Sequence, residues 1–196
     1  MVLTASTMLP LGTPLPAFEL AQVWGPNGAV GTGDHGEAWS SKSLTAQPVL
    51  VLFLCAHCPF VKHIEPELSR LEADFGSQVQ IVAISSNSTI THPQDGPEGL
   101  REQAARNTWR FPYLLDASQA VAQRFRAACT PDLYLFNAAH QLVYRGQLDG
   151  SRPGNDEPLD GRDLRAAIEA LLSGQPINAE QQASIGCNIK WHPDGV

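Results

Sequence analysis

The sequence lacks two features that would tie a protein to a membrane or to nucleic acid. No segment approaches the roughly 20 consecutive apolar residues that a membrane-spanning helix needs. The chain has only 13 Lys and Arg residues against 20 Asp and Glu, which gives a formal net charge of -7. Nucleic acids and anionic membrane surfaces attract clustered positive charge, so we expect neither as a main partner.

An export signal is also missing, and cysteine is scarce. The N-terminal stretch MVLTASTMLPLGTPLPAFEL has no basic beginning, and prolines interrupt it too early for the apolar segment of a signal peptide. We therefore expect a cytoplasmic protein. In that compartment the 4 cysteines are expected to be catalytic, metal-binding or buried thiols rather than a disulfide framework.

The composition is that of one folded unit. The 196 residues are 43% hydrophobic, which suits one domain with a sizeable core. We assign residues 1–196 to a single domain, with a core at about 14–174 and a polar, poorly periodic tail at 175–196.

Strand-like and helix-like patterns alternate along the chain, which is typical of an α/β domain. The apolar run PVLVLFL at 48–54 predicts a central strand covered on both faces. Apolar residues spaced by three or four predict a helix from Phe60 to Phe75, with Pro66 inside it. The glycine-rich stretch 25–36 predicts a hairpin or surface loop. The other predicted strands are 18–24, 79–85, 113–115, 133–136 and 141–144, and the other helices are 97–109, 118–126 (capped by Ser118) and 163–172.

Cys55 and Cys58 fall where the central strand ends and the next helix begins. A thiol at a helix N-terminus is stabilised as the thiolate by the helix dipole and free backbone N–H groups. The two intervening residues, Ala56 and His57, leave the second sulfur within reach of the first, so that it can resolve a mixed disulfide. We expect Cys55 to attack and Cys58 to resolve, with His57 stabilising the Cys55 thiolate.

Two other interpretations of this pair remain open, a zinc ligand pair and two inert buried thiols. Zinc needs two more ligands, for which His57, His63, Cys129 and Cys187 are the candidates, but no second closely spaced pair completes a recognisable site. We therefore expect no metal.

The motifs around these cysteines resemble the thioredoxin-like superfamily. The apolar strand, CAHC at the following helix, and Thr130-Pro131 before the strand DLYLF all match its pattern. The stretches CAHCPFVKHIEPEL, CTPDLYLF, YRGQLDGSRP and SIGCNIKW are similar to a bacterial subgroup described as thioredoxin-like or peroxiredoxin-like, sometimes labelled thiol-disulfide isomerase.

This resemblance implies a three-layer α/β/α fold with a central mixed sheet and an N-terminal strand or hairpin extension. It also implies that Thr130-Pro131 is a cis peptide lying against the two cysteines, where its backbone receives the substrate chain. The implied activity is that of a thiol-disulfide oxidoreductase acting through a mixed disulfide on Cys55 and Cys58. It needs no cofactor, and its partners are a disulfide-containing protein or small molecule and a thiol electron donor.

The sequence departs from two members of the superfamily. Thioredoxin has Trp before its first cysteine, Gly-Pro between the pair and a buried Asp on the preceding strand; here these places hold Leu54, Ala56-His57 and Val49. Peroxiredoxins have Thr three residues before the peroxidatic cysteine, where Leu52 precedes Cys55, and an Arg that is not evident here. A thiol peroxidase using Cys55 is therefore the alternative function, and a non-catalytic metal-binding or interaction protein is the third.

Several further residues are weighed against structural roles. Cys129 and Cys187 are candidate additional redox thiols, although a buried small hydrophobe and an unreactive tail thiol are the simpler interpretations. His63 is expected on a helix surface. Four histidines are expected to be solvated loop residues: His35, His92, His140 and His192. Three charged residues after the last strand are expected to form a structural ion pair or to contact the substrate: Arg145, Asp149 and Arg152.

Overall fold

The computed structural model describes residues 3–32 and 36–193, in which strands and helices alternate as predicted. Within these residues no helix combines the length and the apolarity needed to cross a membrane. His35 lies outside the described residues. The strands are β1 (Leu3–Ala5), β2 (Glu19–Gly25), β3 (Gly28–Ala29), β4 (Glu37–Ser40), β5 (Val49–Phe53), β6 (Gln80–Ser85), β7 (Tyr113–Leu115), β8 (Cys129–Thr130), β9 (Asp132–Phe136), β10 (Leu142–Gly146) and β11 (Ile185–Asn188), and the α-helices are α1 (Pro59–Phe75), α2 (Pro97–Arg106), α3 (Ala120–Phe125) and α4 (Arg162–Leu172).

The central sheet has eight strands in the order β10-β9-β5-β6-β7-β2-β3, with β4 also paired to β2. Strands β5, β6 and β7 run parallel, whereas β9 and β2 pair antiparallel to their neighbours. The predicted mixed sheet is thus confirmed. The glycine-rich stretch starts as the predicted hairpin, because Gly25 pairs with Gly28.

Strand β5 is buried on both faces because its alternate side chains enter two separate cores. Leu50 and Leu52 pack on the side of α1, α2 and α4, with side chains such as Leu68 and Leu164. Val49, Val51 and Phe53 pack on the side of α3. Helices therefore cover both faces of the sheet, which confirms the three-layer prediction and explains why the sequence of β5 shows no polar alternation.

A second sheet joins the two ends of the chain and was missed by the sequence analysis. Its order is β1-β11-β8, and β11 pairs antiparallel with both neighbours. The segment 175–196, predicted to be a poorly periodic tail, therefore contains a strand, and Cys187 is buried in it. The approach of β11 requires Gly186, because a Cβ atom at this position would lie 2.1 Å from the carbonyl oxygen of Thr130.

Two predicted helix boundaries are wrong for local reasons. Helix α2 ends at Arg106 and not at 109, because Thr108 adopts a φ of 55° and turns Trp109 into the core. Helix α3 begins at Ala120 after Gln119, which has a φ of 62°, so Ser118 is not the N-cap. Pro66 lies inside α1 as predicted.

We predict that Phe125 is a principal stabilising residue of the α3 side. Its ring packs 5.2 Å from that of Phe53 and 5.4 Å from that of Tyr134, centroid to centroid, and it is fully buried. Phe125→Ala should lower the free energy of unfolding by about 3–5 kcal/mol, because it leaves a cavity among aromatic rings. Urea unfolding followed by circular dichroism measures this. Gln123→Ala, at an exposed position of the same helix, should change the value by less than about 0.5 kcal/mol.

Candidate active site at the start of helix α1

The two thiols of the CAHC motif lie together at the end of β5, against the loop that precedes β9. Cys55 and Cys58 are free thiols, and both are fully buried. The Sγ atom of Cys55 lies 3.3 Å from Oγ1 of Thr130, and the Sγ atom of Cys58 lies 3.3 Å from the Thr130 carbonyl oxygen. The Thr130-Pro131 peptide is cis, as predicted. One residue therefore contacts both sulfur atoms.

The helix start lies next to Cys58, whereas Cys55 is the thiol expected from the sequence to carry the thiolate. Helix α1 begins at Pro59, so Cys58 is the N-cap residue. The pKa of Cys58 is lowered to about 5, first by the hydrogen bond from the Cys55 thiol, against the opposing effect of burial, and further by the Cys187 thiol and the Val61 backbone N–H. The Cys58 thiol also donates to the Thr130 carbonyl oxygen at 3.3 Å, and its side chain makes no cap hydrogen bond to α1.

Cys55 has the opposite environment. Burial is the main cause that raises its pKa well above the usual value, followed by its hydrogen bond to Cys58 and the negative charge of Asp95. The two thiols are coupled, so their ionisation belongs to the pair, with the pKa of Cys58 lowered and that of Cys55 raised.

A buried carboxylate, Asp95, organises the turn between the two cysteines. Its oxygen atoms accept hydrogen bonds from the backbone N–H groups of Ala56 at 2.9 Å and His57 at 3.0 Å, and from the Asn87 amide at 2.8 Å. The same carboxylate lies 2.5 Å from Nδ1 of His57. Burial acts to raise the pKa of Asp95, but the hydrogen bonds from His57 and Asn87 outweigh it, so the pKa is lowered.

His57 is therefore oriented by a partner. A ligating atom from each of Cys55, His57 and Asp95 lies within 4.8 Å of the others. The His57 ring also stacks on that of His92, with centroids 4.9 Å apart. His92, predicted to be a solvated loop residue, lies in a loop and is partly exposed, and burial followed by the charges of His57 and Lys190 lowers its pKa.

A second polar network supports the backbone of Cys55 from the core. The Gln103 amide donates to the Cys55 carbonyl oxygen at 3.2 Å and to the Glu65 carboxylate at 2.8 Å, and it accepts from the Tyr113 hydroxyl at 3.0 Å. Arg106 donates to the same carboxylate at 3.2 Å. The sequence analysis missed Asp95, Gln103 and Glu65 because each is 38 or more positions from its partner in the site.

The other two cysteines have different surroundings. The thiol of Cys129 contacts the Pro131 carbonyl oxygen at 3.5 Å, and burial, followed by the charge of Asp132, raises its pKa strongly. Cys129 therefore fits the interpretation of a buried hydrophobe. Cys187 lies beside Cys58, and burial and the Cys58 contact raise its pKa to about 12. It is held in β11 and is not on a flexible arm.

The polar residues after β10 form a structured loop. The Asp149 carboxylate accepts backbone N–H groups of Ser151, Asp160 and Gly161, and Arg152 donates to the Asp149 carbonyl oxygen at 2.7 Å. A hydrogen bond from the Arg152 side chain to the Asp149 backbone carbonyl, and not an ion pair, thus joins these two residues.

The other predicted surface positions also have partners. Arg145 donates to the Leu9 carbonyl oxygen at 2.8 Å, and His63 lies 2.6 Å from the Ser151 hydroxyl. His140 contacts the Thr45 carbonyl oxygen, and His192 contacts the Ala117 carbonyl oxygen. These contacts hold loops together.

Residues 11–145, more than half of the chain, match the model of the AhpC/TSA family. The chain belongs to this family. Together with two free thiols at the start of α1, membership supports a thiol redox function.

Solved structures agree with this assignment. An uncharacterized conserved protein from Geobacillus kaustophilus is 42% identical, with 100% of this chain and 99% of that chain covered and a TM-score of 0.90. A hypothetical protein from Sinorhizobium meliloti 1021 is 37% identical, with coverage of 96% and 98% and a TM-score of 0.87. The thioredoxin domain of a thiol-disulfide oxidoreductase from Bacteroides vulgatus is 16% identical, with coverage of 81% and 99% and a TM-score of 0.57, and shows that the fold is thioredoxin-like. No curated protein sequence matches the chain.

We predict that one thiol of the reduced protein ionises near pH 5 and that it is Cys58. Its lowered pKa makes thiolate absorbance at 240 nm rise through about pH 5. Cys58→Ser should remove this step. Cys55→Ser should move it to higher pH without removing it, because the Val61 and Cys187 contacts remain, and Cys129→Ser is the matched control. Persistence of the step in Cys58→Ser would contradict the assignment.

Proposed function

We propose that this protein is a thiol-disulfide oxidoreductase whose working pair is Cys55 and Cys58. The observation that carries the proposal is the shared environment of the two sulfur atoms: the Thr130 hydroxyl lies 3.3 Å from the Cys55 sulfur, and the Thr130 carbonyl oxygen lies 3.3 Å from the Cys58 sulfur. Two thiols in this arrangement can pass two electrons to a disulfide and close a bond between themselves.

In this proposal the thiolate of Cys58 attacks one sulfur of the substrate disulfide, and the other substrate sulfur leaves as a thiolate. Cys55 then loses its proton and attacks the Cys58 sulfur, which releases the second substrate thiol and leaves a Cys55–Cys58 disulfide. The substrate disulfide is reduced by two electrons and the protein dithiol is oxidised. A cytoplasmic thiol electron donor restores the dithiol.

Asp95 and His57 fit the task of accepting the proton from Cys55. The raised pKa of Cys55 means that this thiol needs a base before it can attack. Atoms of His57 and Asp95 lie within 4.8 Å of its sulfur. This pair takes the place of the buried Asp that thioredoxin has on the preceding strand, a position held here by Val49.

The substrate must reach thiols that have no exposed surface in this structure. Ala56 and His57, between the cysteines, are partly exposed, so the approach is past this turn and the Thr130-Pro131 loop. We propose that a disulfide-containing protein or small molecule enters there. The backbone of Thr130 is paired with β11, so that strand moves aside when an extended chain binds.

A thiol peroxidase is the second candidate, because the family is AhpC/TSA and the Cys58 thiolate is stabilised at a helix start. In such an enzyme Cys58, and not Cys55, is the peroxidatic thiol. Peroxiredoxins have Thr three residues earlier, and that position here is Cys55 itself. Metal binding is less well supported, because Asp95 is already occupied by four hydrogen bonds.

We predict that the reduced protein reduces a protein disulfide faster than it consumes hydrogen peroxide or an alkyl hydroperoxide, measured in parallel with dithiothreitol as donor. Cys58→Ser should abolish the exchange. Cys55→Ser should accumulate a covalent mixed disulfide on Cys58, because the resolving thiol is absent. Cys129→Ser should retain wild-type rates.

Fast peroxide turnover with negligible disulfide exchange would make the peroxidase the better description. A mixed disulfide that accumulates on Cys55 in Cys58→Ser would reverse the roles of the two cysteines. Stoichiometric bound zinc without thiol reactivity would support the metal-binding interpretation.

We predict that Asp95→Asn slows resolution more than attack. Removing the carboxylate takes away the partner that orients His57 to accept the proton from Cys55, which should lower the rate of resolution roughly 10²-fold. Quenched-flow alkylation and mass spectrometry should show the mixed disulfide accumulating transiently. Asp156→Asn, an exposed acid in the loop after β10, is the matched control. Equal slowing of both steps would indicate that Asp95 only supports the fold.

A further inference from the structure

The second sheet places a third thiol beside the pair. Strand β11 pairs antiparallel with β8, and Cys187 is the partner of Thr130 in this register. Thr130 is the residue that contacts both Cys55 and Cys58. All three cysteines belong to one buried cluster. Strand β11 thus pairs with the backbone of the Thr130-Pro131 loop, and its Cys187 lies next to Cys55 and Cys58.

Cys187 and Cys58 share the first turn of α1. Helix α1 begins at Pro59, directly after Cys58. Cys187 lies close enough to Cys58 for each thiol to affect the pKa of the other. Adjacent N–H groups at a helix N-terminus stabilise negative charge on either sulfur, so a charge can pass between them without leaving this environment.

We propose that Cys187 is a third redox thiol, which exchanges with Cys58 so that the disulfide can move from Cys55–Cys58 to Cys58–Cys187. This inference rests on the proposed function, which supplies the first disulfide. In this proposal β11 carries the thiol that exchanges with Cys58, and it occupies the position where a substrate chain would otherwise pair with Thr130.

The exchange conserves the number of disulfide bonds, electrons and protons within the chain. The Cys187 thiolate attacks the Cys58 sulfur of the Cys55–Cys58 disulfide, the Cys58–Cys187 bond forms, and Cys55 leaves as a thiolate. Cys55 takes up one proton for the proton that Cys187 gives up, and the His57–Asp95 pair lies close enough to Cys55 to deliver it. One disulfide is present before and after, so no oxidant is consumed.

Cys129 provides the internal comparison. It is as deeply buried as Cys187 and lies next to Thr130 in sequence, but its thiol contacts the Pro131 carbonyl oxygen. Burial near the loop is therefore not sufficient for exchange, whereas contact with Cys58 is the feature specific to Cys187.

Disulfide mapping tests the inference, because trypsin separates the relevant cysteines. Cys55 and Cys58 fall in the peptide 43–62, Cys129 in 127–145 and Cys187 in 166–190. Reduced wild-type protein is oxidised with oxidised glutathione, free thiols are blocked with N-ethylmaleimide, and the peptides are identified by mass spectrometry. We expect an internal disulfide in 43–62 together with a cross-link between 43–62 and 166–190.

The variants make the linkage unambiguous. In Cys55→Ser the only cysteine of peptide 43–62 is Cys58, so the cross-link to 166–190 should become the main product, with loss of two thiols per chain. Cys187→Ser should abolish the cross-link and retain the internal disulfide, and Cys129→Ser should give the wild-type pattern. Circular dichroism of each variant checks the fold, and the wild-type map needs no variant.

An internal disulfide in 43–62 without any cross-link, in both wild type and Cys55→Ser, would overturn this inference and leave the proposed function intact. A cross-link without the internal disulfide in wild type would instead contradict the proposed function and support the contact between Cys58 and Cys187. A cross-link between 43–62 and 127–145 would assign the exchange to Cys129 and overturn the role of Cys187.

Discussion

The carboxylate of Asp95 holds the turn between the two thiols in place. It lies in the interior, where an ion without partners is strongly unfavourable, and its oxygen atoms are met by two backbone N–H groups, an asparagine amide and an imidazole. These donors fix the conformation of Ala56 and His57, and so the direction in which each cysteine points. The same negative charge disfavours a thiolate at Cys55, and Cys58 lies next to the start of α1.

The two sheets have different roles in the structure. The eight-stranded sheet buries apolar side chains on both faces and supplies most of the stability. Its strand β5 ends beside the start of α1. The three-stranded sheet contributes little core, but it closes over the thiols and brings the C-terminal segment to Thr130. The large sheet thus positions the sulfur atoms, and the small sheet lies over them.

The features that could be predicted from the sequence are those written in short stretches. The continuous apolar run at 48–54, the three-to-four spacing after Phe60 and the position of the cysteines between them were sufficient to place the pair at a strand end. The resemblance supplied the cis Thr130-Pro131 peptide. Asp95 and Gln103 could not be found in this way, because their roles depend on contacts with residues distant in the chain, and neither belongs to a periodic pattern. Strand β11 is only four residues long and contains a glycine, so its composition gives almost no strand signal. Which of the two thiols attacks does not follow from the motif alone, because both lie beside the start of α1, which begins one residue after Cys58.

Gly186 determines how the small sheet can move. Its backbone lies so close to the Thr130 carbonyl oxygen that no side chain fits between them. A slip of β11 by one residue would bring Ile185 or Cys187 to this place and would also turn every side chain to the opposite face. The strand therefore cannot slide along β8; it is either paired in this register or detached. The pairing of β11 with β8 is therefore all or none, and exchange of the β11 amide hydrogens with solvent deuterium would report how often the strand detaches.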